Sequence, residues 1–173
     1  LPHFSAAMEH WSTKGKPFDW KRASNQTLEY VTQLRTHDPK DPVPDDMIAV
    51  LVEWSQQRVQ PLYNDISTRT YARDKMSMDP VMPLEFLLLQ AMSKLPPVQN
   101  GTVVNRCVSA DLVSEYPVGR EFSWHCPTST TKKHSSMQDF AKHGEKITIF
   151  NINLRQGQGR DIQKYSVFKQ EAE

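Results

Sequence analysis

The spacing of apolar residues along the chain changes near residue 97. Before that point, apolar positions recur at helical intervals, whereas after it they form short runs rich in β-branched and aromatic residues between Gly, Pro and polar turns. Helices followed by strands favour an α+β domain over a parallel α/β one. We therefore predict one domain over residues 1–173, mainly helical at 1–97 and β-rich at 98–173.

Capping residues and prolines predict three helices in the first part. One covers about residues 24–35, with Ser24 or Asn25 as its N-cap. A second begins at Asp45 and is kinked or split at Pro61. The third covers residues 84–95, and its run of apolar residues predicts burial on most sides.

Between these helices, the prolines of residues 38–46 predict a loop. Trp11, Phe18 and Trp20 are expected to pack the N-terminal arm onto the body of the domain.

The second part contains four runs that are typical of strands. They lie at residues 103–108, 122–126, 146–152 and 165–173, and a helix is predicted only at 135–143.

Composition and charge limit the function classes. A chain of 173 residues with 38% hydrophobic residues can bury one core. A net charge of +1 gives no electrostatic reason to expect nucleic-acid or membrane-surface binding. No apolar run reaches the ~18 residues of a membrane span, and the first residues do not resemble a signal peptide. Since the sequence lacks an initiator Met, we expect a processed protein or an excised domain.

The cysteines and histidines do not predict a metal site. Cys107 and Cys126 are expected to be buried free thiols in core strands, although a disulfide between them stays open. His125, His134 and His143 lack the spacing with carboxylates or thiols that a metal site needs. Glycosylation-type triplets at residues 25–27 and 100–102 leave the compartment open, secreted or intracellular.

Three polar signals lie within the β-rich part: Arg106 in the run TVVNRCV, the hydroxyl run TSTT at residues 128–131, and Glu171 with Glu173. Two glutamates at i, i+2 of an extended chain face the same way. One carboxylate can stabilise the positive charge of a breaking ribosyl bond, and the other can deprotonate the attacking group. Since the arginine fork matches phosphate oxygens, the pattern indicates cleavage of a phosphate-bearing riboside.

In this order, and with GRDI at residues 159–162 and YSVFKQEAE at 165–173, the motifs resemble the R-S-E class of mono-ADP-ribosyltransferases. This family includes arginine-specific vertebrate ectoenzymes and bacterial toxins. The resemblance covers about residues 102–173, with a fainter one at 63–66 and 91–96. It implies two packed antiparallel sheets with an N-terminal helical layer around an NAD cleft. The implied reaction transfers ADP-ribose from NAD⁺, as substrate, to an arginine of a protein acceptor.

The resemblance also assigns roles to the first two motifs. Arg106 is expected to bind the phosphates of NAD⁺, and Cys107 replaces a glycine whose backbone holds the nicotinamide amide. Thr128 and Ser129 are expected to line the NAD⁺ site, with Ser129 orienting the catalytic glutamate. The plainer alternatives are a surface ion pair for Arg106 and an ordinary turn hydroxyl for Ser129.

The remaining roles belong to the end of the chain. Phe140 is expected to stack on nicotinamide, with a core position as the alternative. Phe168 lies in the turn that recognises the acceptor protein, or is a plain strand residue. Glu173 is expected to hydrogen-bond the nicotinamide-ribose 2′-OH, and Glu171 to position and deprotonate the acceptor arginine. In the family an apolar strand follows the second glutamate, so we expect further chain after Glu173.

Three basic residues of the helical part have two possible interpretations. Arg69, Arg73 and Lys75 are either phosphate or adenine contacts or members of a solvated face. The same motifs leave two alternatives for the function: an NAD⁺ glycohydrolase, and a non-catalytic NAD-binding or regulatory module. Target protein, and a role as toxin or endogenous regulator, stay open.

Overall fold

A computed structural model describes residues 3–15, 17–58, 61–72, 77–133, 146–155 and 157–167. The fold is α+β, with five helices followed by two antiparallel strands in the described part. The elements are α1 (Phe4–Lys14), α2 (Trp20–His37), α3 (Asp45–Ser55), α4 (Leu62–Tyr71), α5 (Met82–Lys94), β1 (Val103–Val108) and β2 (Thr148–Asn153).

The chain divides into two compact units. The helical unit is formed by Leu1–Pro96 together with Lys164–Val167, and the β unit by Pro97–Gln163. None of the helices described is both long and apolar enough to cross a membrane.

Helix α3 forms the centre of the helical unit. Its residues from Met47 to Ser55 are all buried, and it packs against the other four helices. Asp45 and Asp46 occupy its first turn, where their charge complements the helix dipole. The predicted start at Asp45 is confirmed, and Pro61 splits the predicted helix because α3 ends at Ser55 and α4 begins after the proline.

Helix α1 was not predicted, because the polar composition of the N-terminal arm is typical of a loop. Phe4, Ala7, Met8 and Trp11 are all buried at helical spacing. The ring of Trp11 lies edge-on to Phe18 at 4.7 Å between centroids. The Trp11 indole N–H donates to Asp65 of α4 at 2.7 Å, so for Trp11 the predicted packing of the arm onto the body is confirmed.

Helix α2 begins before its predicted start. Asp19 is the N-cap, and its carboxylate accepts a hydrogen bond from the Arg22 N–H at 3.1 Å. Trp20, the first residue of the helix, is only partly buried.

The prediction that the third helix is buried on most sides is wrong. In α5, the buried positions are Leu84, Leu87, Leu88 and Ala91, which form one stripe. Phe86 and Leu89 are 47% and 50% exposed because they lie outside this stripe.

In the β unit, β1 and β2 pair with Arg106 opposite Phe150. Two isolated bridges add Asn105–Thr131 and Pro97–Arg160. The described residues thus form a two-stranded sheet rather than the two packed sheets that the resemblance implies. The predicted helix at 135–143 lies outside the described residues.

One predicted strand is not a strand, and another is not a strand in the part that the structure describes. Residues 122–126 are irregular, because Phe122 and Trp124 owe their alternation to an aromatic cluster rather than to sheet pairing. Of the predicted strand at 165–173, only residues 165–167 are described, and they form a turn and bend held by side-chain contacts within the helical unit.

Candidate functional site

Strand β1 carries the first motif residue of the candidate site. Arg106 lies in the run VVNRCV, whose β-branched residues favour an extended chain. Its guanidinium donates from Nη1 to the Ser129 carbonyl oxygen at 3.3 Å. Its Cζ lies over the Trp124 ring, 5.9 Å from the centroid. Arg106 and Ser129, which the sequence places 23 positions apart, are therefore neighbours.

Backbone pairing holds the hydroxyl run against β1. The Asn105 N–H donates to the Thr131 carbonyl at 2.7 Å, and the Thr131 N–H donates to the Asn105 carbonyl at 2.8 Å. Thr128 donates from its hydroxyl to the Cys126 carbonyl at 3.3 Å. These contacts fix the backbone around Ser129, so its position relative to Arg106 follows from the fold rather than from a flexible loop.

The contacts of Arg106 bear on the alternative of a surface ion pair. In the part of the chain that the structure describes, its guanidinium contacts a carbonyl oxygen and an aromatic ring but no carboxylate. A carbonyl and a ring face orient the guanidinium without neutralising it. The charge of Arg106 is consequently not matched by a described acidic residue.

The sequence did not predict the aromatic cluster beside Arg106. Tyr116 lies edge-on to Phe122 at 4.5 Å and to Phe150 at 4.9 Å between centroids. Trp124 lies edge-on to Phe150 at 5.5 Å, and its Nε1 donates to the Tyr116 hydroxyl at 3.3 Å. The spacing of Phe122 and Trp124 was the available signal, but it was interpreted as a strand.

Cys107 and Cys126 are both partly buried and are not joined in a disulfide, which answers the question that the sequence left open. Cys107 follows Arg106 on β1, at the position where the resembled family has a glycine, whereas Cys126 lies outside the described strands. Across the ranges described, no group of His, Cys, Asp and Glu side chains could hold a metal ion.

Several predicted residues lie outside the described residues: Phe140, Phe168, Glu171, Glu173, Arg73, Lys75, His134 and His143. Their roles stay predictions.

Arg69 is described, and its guanidinium is bound to Asp65 at 3.1 Å and to the Ser77 carbonyl at 2.7 Å. Because the Arg69 side chain is only 8% exposed, it is a structural residue and not part of a solvated face.

A second polar cluster lies in the helical unit. Tyr165 donates from its hydroxyl to Asp41 at 2.9 Å, and Lys164 forms ion pairs with Asp38 and Asp41. The hydrogen bond from Lys164 lowers the pKa of Asp38. Hydrogen bonds to Asp38 and Asp41 raise the pKa of Lys164. The charged groups of this cluster pair with one another, so we assign the cluster a role in stability rather than in binding.

Comparison of the chain with protein-family models, with curated proteins and with solved structures finds no match. The functional argument therefore depends on the motifs and on the contacts of Arg106 and Ser129.

Proposed function

We propose that the protein is a mono-ADP-ribosyltransferase that transfers ADP-ribose from NAD⁺ to an arginine of a target protein and releases nicotinamide. The observation that supports the proposal is the 3.3 Å contact between the Arg106 guanidinium and the Ser129 carbonyl, which makes two motifs of the resembled family neighbours.

In the proposed reaction, Arg106 binds the diphosphate of NAD⁺ through its fork of N–H donors. The nicotinamide–ribose bond breaks, and positive charge develops on the ribose. Glu173 stabilises that charge and hydrogen-bonds the 2′-OH, with Ser129 orienting its carboxylate. Glu171 positions the acceptor guanidinium and takes its proton as the nitrogen attacks the anomeric carbon. The two packed sheets around an NAD cleft belong to the same proposal.

The first test uses ligand-induced stabilisation. NAD⁺ that binds only the folded protein should raise its melting temperature by mass action. Arg106→Ala should remove most of that shift, because the diphosphate loses its charged partner. Arg120→Ala is the matched control, since Arg120 is exposed in the same unit and should leave the shift unchanged. Absence of a shift for the wild-type protein at millimolar NAD⁺ contradicts the proposal.

The second test separates the two glutamates. Glu173→Gln should abolish both NAD⁺ hydrolysis and protein modification while NAD⁺ binding persists, because Glu173 acts on charge that exists only in the transition state. Glu171→Gln should lose transfer to protein but keep much of the hydrolysis. Labelled NAD⁺ with a cell lysate measures transfer, and nicotinamide release measures hydrolysis. Identical behaviour of the two variants would favour a glycohydrolase instead.

A further inference from the structure

We propose that Trp124 is a positioning residue that holds the Arg106 guanidinium ready for the diphosphate of NAD⁺. The inference rests on the proposed function, and it assigns a role to a residue outside the family's three motifs.

The geometry of the pair is that of a cation–π contact. The Arg106 Cζ lies 5.9 Å from the centroid of the Trp124 ring, and cations within about 6 Å of an indole face are attracted by its electron density. The Ser129 carbonyl holds Nη1 at the same time. An arginine has about five N–H donors, so these two contacts fix the side chain and still leave a fork for phosphate oxygens.

The position of the Trp124 ring is itself determined by the sheet. Phe150 lies directly opposite Arg106 in the strand pair, and Trp124 packs edge-on against it with an interplanar angle of 88°. The indole N–H donates to the Tyr116 hydroxyl at 3.3 Å, and Tyr116 also packs on Phe150. The strand pair therefore places both the arginine and the ring that covers it.

Such an arrangement favours ligand binding through preorganisation. A free arginine side chain samples many rotamers and loses that freedom when it binds an anion. In this protein the ring and the carbonyl restrict the Arg106 side chain beforehand. Loss of the ring should therefore weaken NAD⁺ binding although Trp124 itself need not touch NAD⁺.

The experiment measures NAD⁺ affinity and turnover in the full chain. Trp124→Leu should raise the Kd and the KM for NAD⁺ about two- to five-fold, the range expected for an exposed cation–π contact, with kcat nearly unchanged. Trp124→Phe should restore part of the affinity. Phe122→Leu is the matched control, because Phe122 belongs to the same cluster but, among the described residues, the ring contact with Arg106 is made by Trp124. Phe122→Leu should change the Kd for NAD⁺ less than two-fold, which corresponds to less than about 0.4 kcal/mol of binding free energy. A larger change would mean that packing of the cluster, rather than the ring over Arg106, determines the affinity.

Substitution of fluorinated tryptophan distinguishes a cation–π contact of Trp124 from a purely packing role. Successive fluorination withdraws electron density from the ring face with little change of shape, so the Kd for NAD⁺ should rise with each fluorine. The same labelling in Trp124→Phe should have no effect and controls for the other three tryptophans, Trp11, Trp20 and Trp54. This series also decides the matter if Trp124→Leu does not fold.

The outcomes separate the two proposals. Normal NAD⁺ binding by the wild-type protein with no effect of fluorination overturns the role of Trp124 and leaves the proposed function standing. Failure of the wild-type protein to bind NAD⁺ overturns the proposed function, and the inference fails with it.

Discussion

Glu53 is a fully buried carboxylate on α3, and its partner Arg58 offers a direct test of the helical unit. One oxygen accepts from Arg58 Nε at 2.6 Å. The other accepts from Arg58 Nη2 at 3.0 Å and from the Thr27 hydroxyl at 2.7 Å. The Arg58 side chain is 17% exposed, so the pair lies almost entirely out of water.

Arg58→Ala should destabilise the helical unit strongly. Glu53 would keep the hydrogen bond from Thr27 but lose its cation and two of the three hydrogen bonds described above. Removing one partner of a buried pair costs about 3–5 kcal/mol. Because the Arg58 side chain reaches the surface, water can enter the vacated space, and we expect a loss near the lower limit, about 3 kcal/mol.

Urea unfolding followed by circular dichroism at 222 nm measures this loss, since all five described helices belong to the helical unit. Asp79→Asn is the matched control, because Asp79 is 52% exposed in its pair with His10 and should change stability by less than about 0.5 kcal/mol. In a double-mutant cycle, Glu53→Gln with Arg58→Ala should cost less than the sum of the single changes. Additive costs, or a loss similar to that of Asp79→Asn, would refute the assignment of a coupled buried pair.

Two further predictions concern pH and the cluster around Asp41. Burial raises the pKa of Asp41, but hydrogen bonds from Lys164, the Val43 N–H and Tyr165 outweigh it and lower the pKa below 3.8. The stabilisation is therefore present above about pH 4 and lost as the pH falls through the lowered pKa, so Asp41→Asn should cost more stability at pH 6 than at pH 3 in urea unfolding. Burial and the hydrogen bond to Asp41 raise the pKa of Tyr165 from 10.0 to about 12. Its stabilisation is present below pH 10 and lost as the pH rises toward 12; Tyr165→Phe should lack this alkaline loss, and equal slopes would contradict the assignment.

Local signals predicted some elements well and others poorly. The start of α3 follows from Pro44 and from the aspartates of its first turn, and the bounds of β1 follow from β-branched residues, all of which act within a few positions. Proline favours positions at the start of a helix, and Pro61 is the N-cap of α4, although α3 already ends at Ser55. Helix α1 was not predicted because the polar residues between its buried positions outweigh them in composition, and only the full spacing of Phe4, Ala7, Met8 and Trp11 reveals it.

For the candidate site, the structure bears on two of the predicted residues, Arg106 and Ser129, and it shows surroundings that the sequence did not predict. The order of the motifs identified Arg106 and Ser129, and the structure brings them into contact. The aromatic cluster joins rings that are distant in the sequence. The alternation of Phe122 and Trp124 does not predict which rings they contact. A pattern with period two predicts strands and loops with packed rings equally well, and long-range contacts decide between them.

The segment Lys164–Val167 belongs to the helical unit and is held by hydrogen bonds that involve side chains. Tyr165 bonds to Asp41, the Tyr30 hydroxyl donates to the Ser166 carbonyl at 3.2 Å, and the Val167 N–H donates to Ser55 Oγ at 3.1 Å. Val167 precedes Glu171 by four positions in the sequence. The chain that precedes the proposed catalytic glutamates in the sequence belongs to the helical unit. The proposed function therefore predicts that changes which weaken the contacts of Asp41 lower activity as well as stability. Activity measured on the β-rich part alone would therefore test a chain that lacks the partners of this segment.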